Sequence, residues 1–541
     1  MEERRTVIGV IGGNDDWVLD AVRGTDHEVI TAEHDLDALV RADIVIDTTP
    51  DVQHEKAALL QRLDAICPLD TLLVTMISTS SAEHLAALSG RPSHVVGLRV
   101  PLPPPAGTGA ELLLTPMTST TTAGRASVLL KSLGLTELTI GAATASAIRE
   151  LVFSYLNRSA ALLEEGYASR EDIDTAMRLG CGLPSGPLEL LDHIGLDTAH
   201  DLMIDLMDRT GDKSFHPTGL LSSLVDAGHL GRRTGRGLHS YDDQGNRSDP
   251  GRDASPLDVQ VRRVGVVGAG TMACGIAEVA AAAGMTTILV ARDRTKAGRA
   301  LETLTASLTK SVRRGRISVQ TKQAALDRFE ATDDMEALAD CDLVIEAVAE
   351  NTAVKRAVFT ALDRTCKPDA VLATTTSSLS VTTCASATER PQSVVGLHFF
   401  NPATAMKLVE LSCTDATSDQ AAAVARAFCR QTGKTSVDCH DRAGFIVNFL
   451  LFPYLSRAIG LLEAGDVTVA EVDRCVEQAF GYPMGPFKLL DTIGLDVSLA
   501  IQRRLHEEFG TAEHAPSPVL EAMVAAGWLG RKNGRGFTTA P

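Results

Sequence analysis

No stretch of the chain approaches the run of about 20 apolar residues that a membrane-spanning helix needs, so no span is read from it. A basic excess is missing too. Lys and Arg number 51 against 69 Asp and Glu, a formal net charge of −18. That balance excludes nucleic acid or an acidic membrane held through a broad basic surface, while leaving room for one basic pocket facing a phosphorylated ligand. The ten cysteines include no Cys-x-x-Cys pair, which disfavours structural zinc and a disulfide framework and predicts reduced thiols in a cytoplasmic protein. Met1 to Thr6 lead straight into the strand-like run Val7–Ile11, without the apolar stretch and small-residue cleavage site of a secretion signal.

What the chain does have is itself, twice. Its 541 residues predict three or four domains. Gly182-Leu-Pro-Ser-Gly-Pro-Leu-Glu-Leu-Leu-Asp-His-Ile-Gly-Leu-Asp197 recurs as Gly481-Tyr-Pro-Met-Gly-Pro-Phe-Lys-Leu-Leu-Asp-Thr-Ile-Gly-Leu-Asp496, an offset of 481 − 182 = 299. Ala227–Gly237 recurs as Ala526–Gly536, and Asp35–Leu39 as Asp334–Leu338, at the same offset. A register held over that distance is a duplication. It fails only at the start, where Gly12 matches Gly268, an offset of 256. The first copy is therefore short by 299 − 256 = 43 residues before about residue 33, a loss expected to span its second strand and the helices after it.

In each copy, apolar strand runs alternating with Ala-rich stretches give way to purely helical periodicity. In the second copy the runs are 264–267, 287–290, 343–347, 370–373 and 393–397. The predicted class is α/β plus all-α, each copy being a parallel-sheet domain followed by a helical domain. The expected boundaries are 1–143, 144–245, a Ser-, Asp- and Pro-rich linker at 246–260, 261–440 and 441–541.

Arg263-Val-Gly-Val-Val-Gly268-Ala-Gly270-Thr271-Met272-Ala273 reads as strand, glycine turn and helix start. Gly268 permits the turn, and Gly270 lets the backbone approach a pyrophosphate lying against the helix N-terminus. Thr271 and Met272 open that helix. The strand carrying the expected ribose-binding acid ends Ala291-Arg292-Asp293. Ala291 followed by Arg292 admits a 2′-phosphate, and Asp293 reaches the ribose if the turn is shifted, so NAD and NADP both stand as cofactors. The first copy has Asn14 for the second glycine, with Asp15 and Asp16 where a pyrophosphate would lie. Dinucleotide binding is not expected there.

The second copy continues through Thr375-Thr-Ser377, Val395-Gly-Leu-His398-Phe-Phe-Asn401-Pro402, Met406-Lys-Leu-Val-Glu410, Asp441-Arg-Ala-Gly444-Phe445-Ile-Val-Asn448 and Gly485-Pro486. Over 261–537 this motif string closely resembles the L-3-hydroxyacyl-CoA dehydrogenase family. The resemblance implies a Rossmann-type dinucleotide-binding domain followed by that family's helical C-terminal domain, in two copies. It makes His398 the acid/base and Glu410 its orienting partner, with Ser377 and Asn448 holding the substrate's 3-oxygen. It places Glu350 and Lys355 near the nicotinamide ribose, and sets Thr375 where the family usually has asparagine. The residue types suit the chemistry. Histidine titrates near working pH, and a carboxylate on its other nitrogen sets the tautomer. Arg313 and Arg314 are either a solvated helix face or a contact for the phosphates of coenzyme A.

At offset 299, His398 becomes Arg99, Asn448 becomes Arg149 and Gly444 becomes Ala145, while Ser377, Glu410 and Lys355 keep counterparts in Ser78, Glu111 and Lys56. An arginine stays protonated and cannot serve as the base. The expected activity is thus confined to the second copy: interconversion of an L-3-hydroxyacyl-CoA, such as 3-hydroxybutyryl-CoA, with its 3-oxoacyl-CoA. Two other readings stand beside it: a dehydrogenase of a free hydroxy acid or carrier-bound acyl group, and a non-catalytic acyl-CoA-binding scaffold or sensor. Because the family's helical domains pair in dimers, the resemblance further implies an internal pseudo-dimer of the two copies. A regulatory role for the first cleft, with Arg99 taking an acidic metabolite, is the rival reading.

Overall fold

The βα alternation of each copy closes into its own twisted sheet in the computed structural model. This describes residues 5–538 apart from 13–15, 33–35, 78–79, 101–108, 139–141, 243, 249–258 and 378. Asn14, Asp15, Ser78 and most of the expected linker therefore lie outside the described residues. In the first copy, β1 (Val7–Ile11), β2 (Glu28–Ala32), β3 (Ile44–Asp47), β4 (Leu72–Met76), β5 (Val95–Arg99), β6 (Gly109–Leu113) and β7 (Thr136–Glu137) are ordered β2-β1-β3-β4-β5-β6-β7. The second copy has β8 (Arg263–Val267), β9 (Thr286–Val290), β10 (Phe329–Thr332), β11 (Leu343–Glu346), β12 (Val371–Thr374), β13 (Val394–Phe399), β14 (Leu408–Cys413) and β15 (Thr435–His440). Their order is β10-β9-β8-β11-β12-β13-β14-β15, with β14 alone antiparallel to its neighbour β13. The central strands are buried on both faces, as a parallel sheet with covering helices requires.

The sheets correct one expectation. The first copy does keep a strand beside β1: β2 pairs with it in parallel from Val7↔Glu28 to Ile11↔Ala32, as β9 pairs with β8. What is missing is one strand and the helices Arg294–Arg313 and Val319–Asp327. At offset 299, Ala32 matches Ala331 on the edge strand β10, yet β2 occupies the slot that β9 fills. Main-chain hydrogen bonding to β1 would otherwise go unmet, so the surviving strand closes up against it.

Beyond the sheets, the long helices Ala142–Glu164 and Val447–Ala464 head the two helical parts and pack against each other across the copies. Tyr155 and Tyr454, counterparts at offset 299, meet edge to face with ring centroids 5.8 Å apart. Arg158 bonds both carboxylate oxygens of Glu513. Its counterpart Arg457 bonds Asp212 at 2.7 Å and Ser214 at 2.8 Å, and Ser214 is the counterpart of Glu513. One hydrophobic core runs from Ala145 to Leu520 through both helical parts. Among the described residues no helix is long and apolar enough to cross a membrane, and no cluster of side chains is arranged to hold a metal ion.

Candidate active site

Antiparallel pairing of β13 with β14 sets His398 directly opposite Glu410. Their side chains meet: His398 Nδ1 lies 2.7 Å from Glu410 Oε2, and both residues are buried. The other carboxylate oxygen, Oε1, accepts the backbone N–H of Ile446 at 3.0 Å and of Val447 at 2.8 Å. These donors open the helix Val447–Ala464, so the helix N-terminus stabilises the charge that orients the imidazole. The turn that aims them is tight. Gly444 has φ 80° and Phe445 φ 48°, a left-handed conformation costly for a bulky side chain and held here by packing. Phe445 and Phe400 flank the imidazole with centroids at 5.4 and 4.7 Å. Asn448 is the second residue of that helix and is buried beside the clamp.

Ser377 follows β12, which pairs with β13 so that Thr374 faces Gly396. The loop carrying Thr375 and Ser377 therefore leaves the sheet level with His398, one strand spacing (about 4.8 Å) away. Glu350 holds that loop: its Oε1 accepts Thr376 Oγ1 at 2.5 Å and the Ser377 N–H at 3.0 Å. Its carboxyl is kept below the ordinary range against the opposing cost of burial, through Lys355 and these hydrogen bonds. Asp441, which sequence reasoning passed over, ties the same loop to the turn. It accepts Ser380 Oγ at 2.6 Å and the N–H groups of Val381 and Thr382 at 2.8 Å.

Lys355 stands beside Glu350 and beneath its loop. It is 1% exposed, and its ammonium bonds both oxygens of buried Glu346 at 2.8 and 2.9 Å and reaches Glu350 at 3.3 Å. Thr374 Oγ1 adds a third bond to Glu346. The first copy repeats this arrangement with Lys56, Asp47 and Thr75, at 2.9 Å and 2.7 Å. Retention of the lysine in the copy expected to lack the cofactor was the sequence signal that it serves the fold. Lys355 is at once the partner of Glu346 and an ion-pair partner of Glu350.

At the cofactor turn, a Cβ on Gly268 (φ 131°) would lie 2.4 Å from the Ala347 carbonyl oxygen, so only glycine fits. A Cβ on Gly270 would meet nothing within 4 Å. That open approach, ahead of a twelve-residue helix (Thr271–Ala282) with no side-chain cap, fits a dinucleotide pyrophosphate. Ala291 is buried, Arg292 projects into solvent, and Asp293 caps the next helix by accepting the Lys296 N–H at 2.8 Å. Arg313 and Arg314 end that same helix, exposed; it packs on the edge strand β10, and β9, β8, β11 and β12 lie between that edge and β13.

Comparison with known proteins gives this geometry a family. The model for the 3-hydroxyacyl-CoA dehydrogenase NAD binding domain matches residues 20–143 and 263–442, and that for the C-terminal domain matches 147–241 and 444–540. The chain belongs to the 3-hydroxyacyl-CoA dehydrogenase family. A 3-hydroxybutyryl-CoA dehydrogenase of Mycobacterium tuberculosis is 46% identical over 283 residues, covering 52% of this chain and 98% of its own. The human mitochondrial hydroxyacyl-coenzyme A dehydrogenase is 40% identical, covering 52% and 93%. The crystal structure of (S)-3-hydroxybutyryl-CoA dehydrogenase PaaH1 from Ralstonia eutropha, 35% identical, aligns with TM-score 0.51 over 52% of this chain and all of its own. The chain is thus an oxidoreductase of this family with the fold in tandem, and its cofactor is a nicotinamide dinucleotide.

Within this dehydrogenase the first copy has rebuilt its centre as an ion pair. Arg99 Nη1 bonds Glu111 Oε2 at 2.5 Å, both residues buried on β5 and β6 in the register that His398 and Glu410 occupy. The carboxylate remains, and a permanent cation replaces the base.

Proposed function

We propose that the second copy interconverts an L-3-hydroxyacyl-CoA, 3-hydroxybutyryl-CoA being representative, with the 3-oxoacyl-CoA. The observation carrying this reading is the buried His398–Glu410 pair clamped by the Ile446 and Val447 amides. With Nδ1–H donating to Glu410, His398 presents Nε2 as the base that takes the 3-hydroxyl proton, and Glu410 stabilises the resulting imidazolium. Ser377 and Asn448 donate to the 3-oxygen as charge develops on it. The bound nicotinamide supplies the hydride acceptor. Gly268, Gly270, Thr271 and Met272 would hold the pyrophosphate end, and Glu350, with Lys355 beside it, would take the nicotinamide ribose. Ala291 leaves no carboxylate against a 2′-phosphate and Arg292 offers it a cation, so both NAD and NADP are accepted. His398→Gln should abolish acetoacetyl-CoA reduction while cofactor binding, followed by fluorescence, persists; surviving turnover would sink the mechanism.

We further propose that the two copies form an internal pseudo-dimer. The contact between Tyr155 and its own counterpart Tyr454 supports it, because a residue touching its equivalent marks a two-fold relation. Light scattering behind size exclusion should return the mass of one chain. An obligate dimer of whole chains would count against the proposal.

A further inference from the structure

The first copy contacts the turn that builds the second copy's site, and it does so one-sidedly. Tyr167 donates its hydroxyl to the His440 carbonyl oxygen at 2.8 Å. Glu165 bonds Arg442 Nη1 at 2.8 Å. The Arg442 guanidinium is sandwiched between Tyr167 (4.0 Å) and Phe449 (3.9 Å), with Nε and Nη2 buried and without an acceptor among the described residues. His440 and Arg442 bracket Asp441, which ties down the Ser377 loop, and they lead into the turn presenting the Ile446 and Val447 amides to Glu410. A second contact comes from the first-copy helix Arg170–Cys181. A Cβ on its Gly180 would lie 2.9 Å from Val447 Cγ2 and 3.0 Å from Leu408 Cδ2, so this helix backbone rests on the clamp residue itself. Its next residue, Cys181, is close enough for Glu410 to be felt: burial first, then that carboxylate, push its thiol up to about 12.

The side chains for a reciprocal brace are missing from the sequence. At offset 299, Glu165 becomes Ala464, Tyr167 becomes Asp466, Arg442 becomes Ala143 and Asp441 becomes Ala142. Alanines carry no charge, and an ionised aspartate has no proton to give a carbonyl. The helix packing is two-sided, with Val469–Phe480 of the second copy lying on β6 of the first as Arg170–Cys181 lies on β14. The Tyr167 and Glu165 side chains, by contrast, have no equivalents in the second copy, so these two contacts belong to the side with the histidine. A scaffold that merely covered apolar surface would have no need of that asymmetry.

We propose that the first copy acts in trans on the second copy's chemistry. Tyr167 and Glu165, with the bare backbone at Gly180, are positioning residues that hold the 440–447 turn and through it the orientation of Glu410. This rests on the reading of His398 and Glu410 as the working pair.

The test uses the full chain and acetoacetyl-CoA reduction. The double variant Tyr167→Phe with Glu165→Gln should lower kcat about tenfold, since small misplacement of a catalytic group is costly, with the cofactor KM within about twofold. In a Glu410→Gln background the same pair should change kcat by less than about twofold, because what it positions is already disabled. Gly180→Ala should cut kcat comparably through the clash with Val447, and adding Val447→Ala should restore it. An unchanged kcat in the double variant overturns the proposal. So does an equal fall in both backgrounds, which would mark a folding defect. Failure of Val447→Ala to rescue removes the Gly180 contact from it. Turnover surviving His398→Gln would instead overturn the underlying reading, and the brace with it.

Discussion

Replacing Glu410 with glutamine exchanges one oxygen for an NH2 and removes the charge while leaving the volume almost unchanged, so its effect reads the carboxylate's role apart from packing. The glutamine can sit two ways. With its oxygen toward Ile446 and Val447, both backbone donors stay satisfied and the NH2 faces His398 Nδ1. In the other orientation, the NH2 confronts two buried N–H groups, and each loses its acceptor at a cost of about 1–3 kcal/mol. Two donors outweigh one contact, so the first orientation wins by roughly 2 kcal/mol or more. Nδ1 must then accept and the proton moves to Nε2; the neutral imidazole cannot take the hydroxyl proton, and the imidazolium that gives it back in reduction finds no acceptor for its Nδ1–H, so proton transfer fails in both directions. A wrong-tautomer defect of this kind costs about 10⁴-fold in a serine-protease triad; here the expected fall in kcat is about 10³- to 10⁴-fold, or about 4–5 kcal/mol of transition-state stabilisation. Steady-state acetoacetyl-CoA reduction, followed by cofactor absorbance, measures it, with cofactor affinity expected to hold. A Glu410→Gln enzyme retaining more than about a tenth of its kcat would refute the tautomer argument.

Three other outcomes are expected. Arg292→Ala should lower the NADPH-to-NADH ratio of kcat/KM about fivefold or more, by removing an exposed cation from the 2′ position; an unchanged ratio would exclude Arg292 from that role. Arg99→Met should leave Glu111 a buried carboxylate without its arginine and cost about 3 kcal/mol in denaturant unfolding, far above a surface substitution; a loss under about 0.5 kcal/mol would deny the pair its structural role. His514 lies near the seam, and burial first, then the Arg158 charge, push its imidazole down to about 4. Since the unfolded imidazole takes its proton near pH 6.5 while the folded one resists to about 4, stability should fall as pH drops through that window and level off below it. His514→Gln should flatten the thermal-denaturation slope over those pH values, and an unaltered slope would count against this assignment.

Much of the site was legible because its chemistry is local in sequence. His398 and Glu410 lie on strands joined by a short connection, and a parallel-sheet domain displays such residues at strand ends. The burial of Lys355 was not legible, because it depends on Glu346, nine residues away on β11, and on Thr374 from β12, a convergence that only the assembled sheet reveals. Glu346 and Asp441 were missed for the same reason: their partners arrive from other elements. The closing-up of β2 against β1 was also hidden, since a deletion counted in residues does not say which strand slot stays filled.

By itself the sequence determined that the chain is a duplication, that its halves are α/β and then helical, and that one copy alone carries a base. A register held at one offset decides the first; periodicity, glycine turns and residue type, properties of near neighbours along the chain, decide the others. Tertiary structure decided what the first copy contributes. The contacts from Tyr167 to His440 and from Glu165 to Arg442 span more than 270 residues, and nothing in local patterning encodes a pairing that forms only when two helical halves bury their apolar faces together.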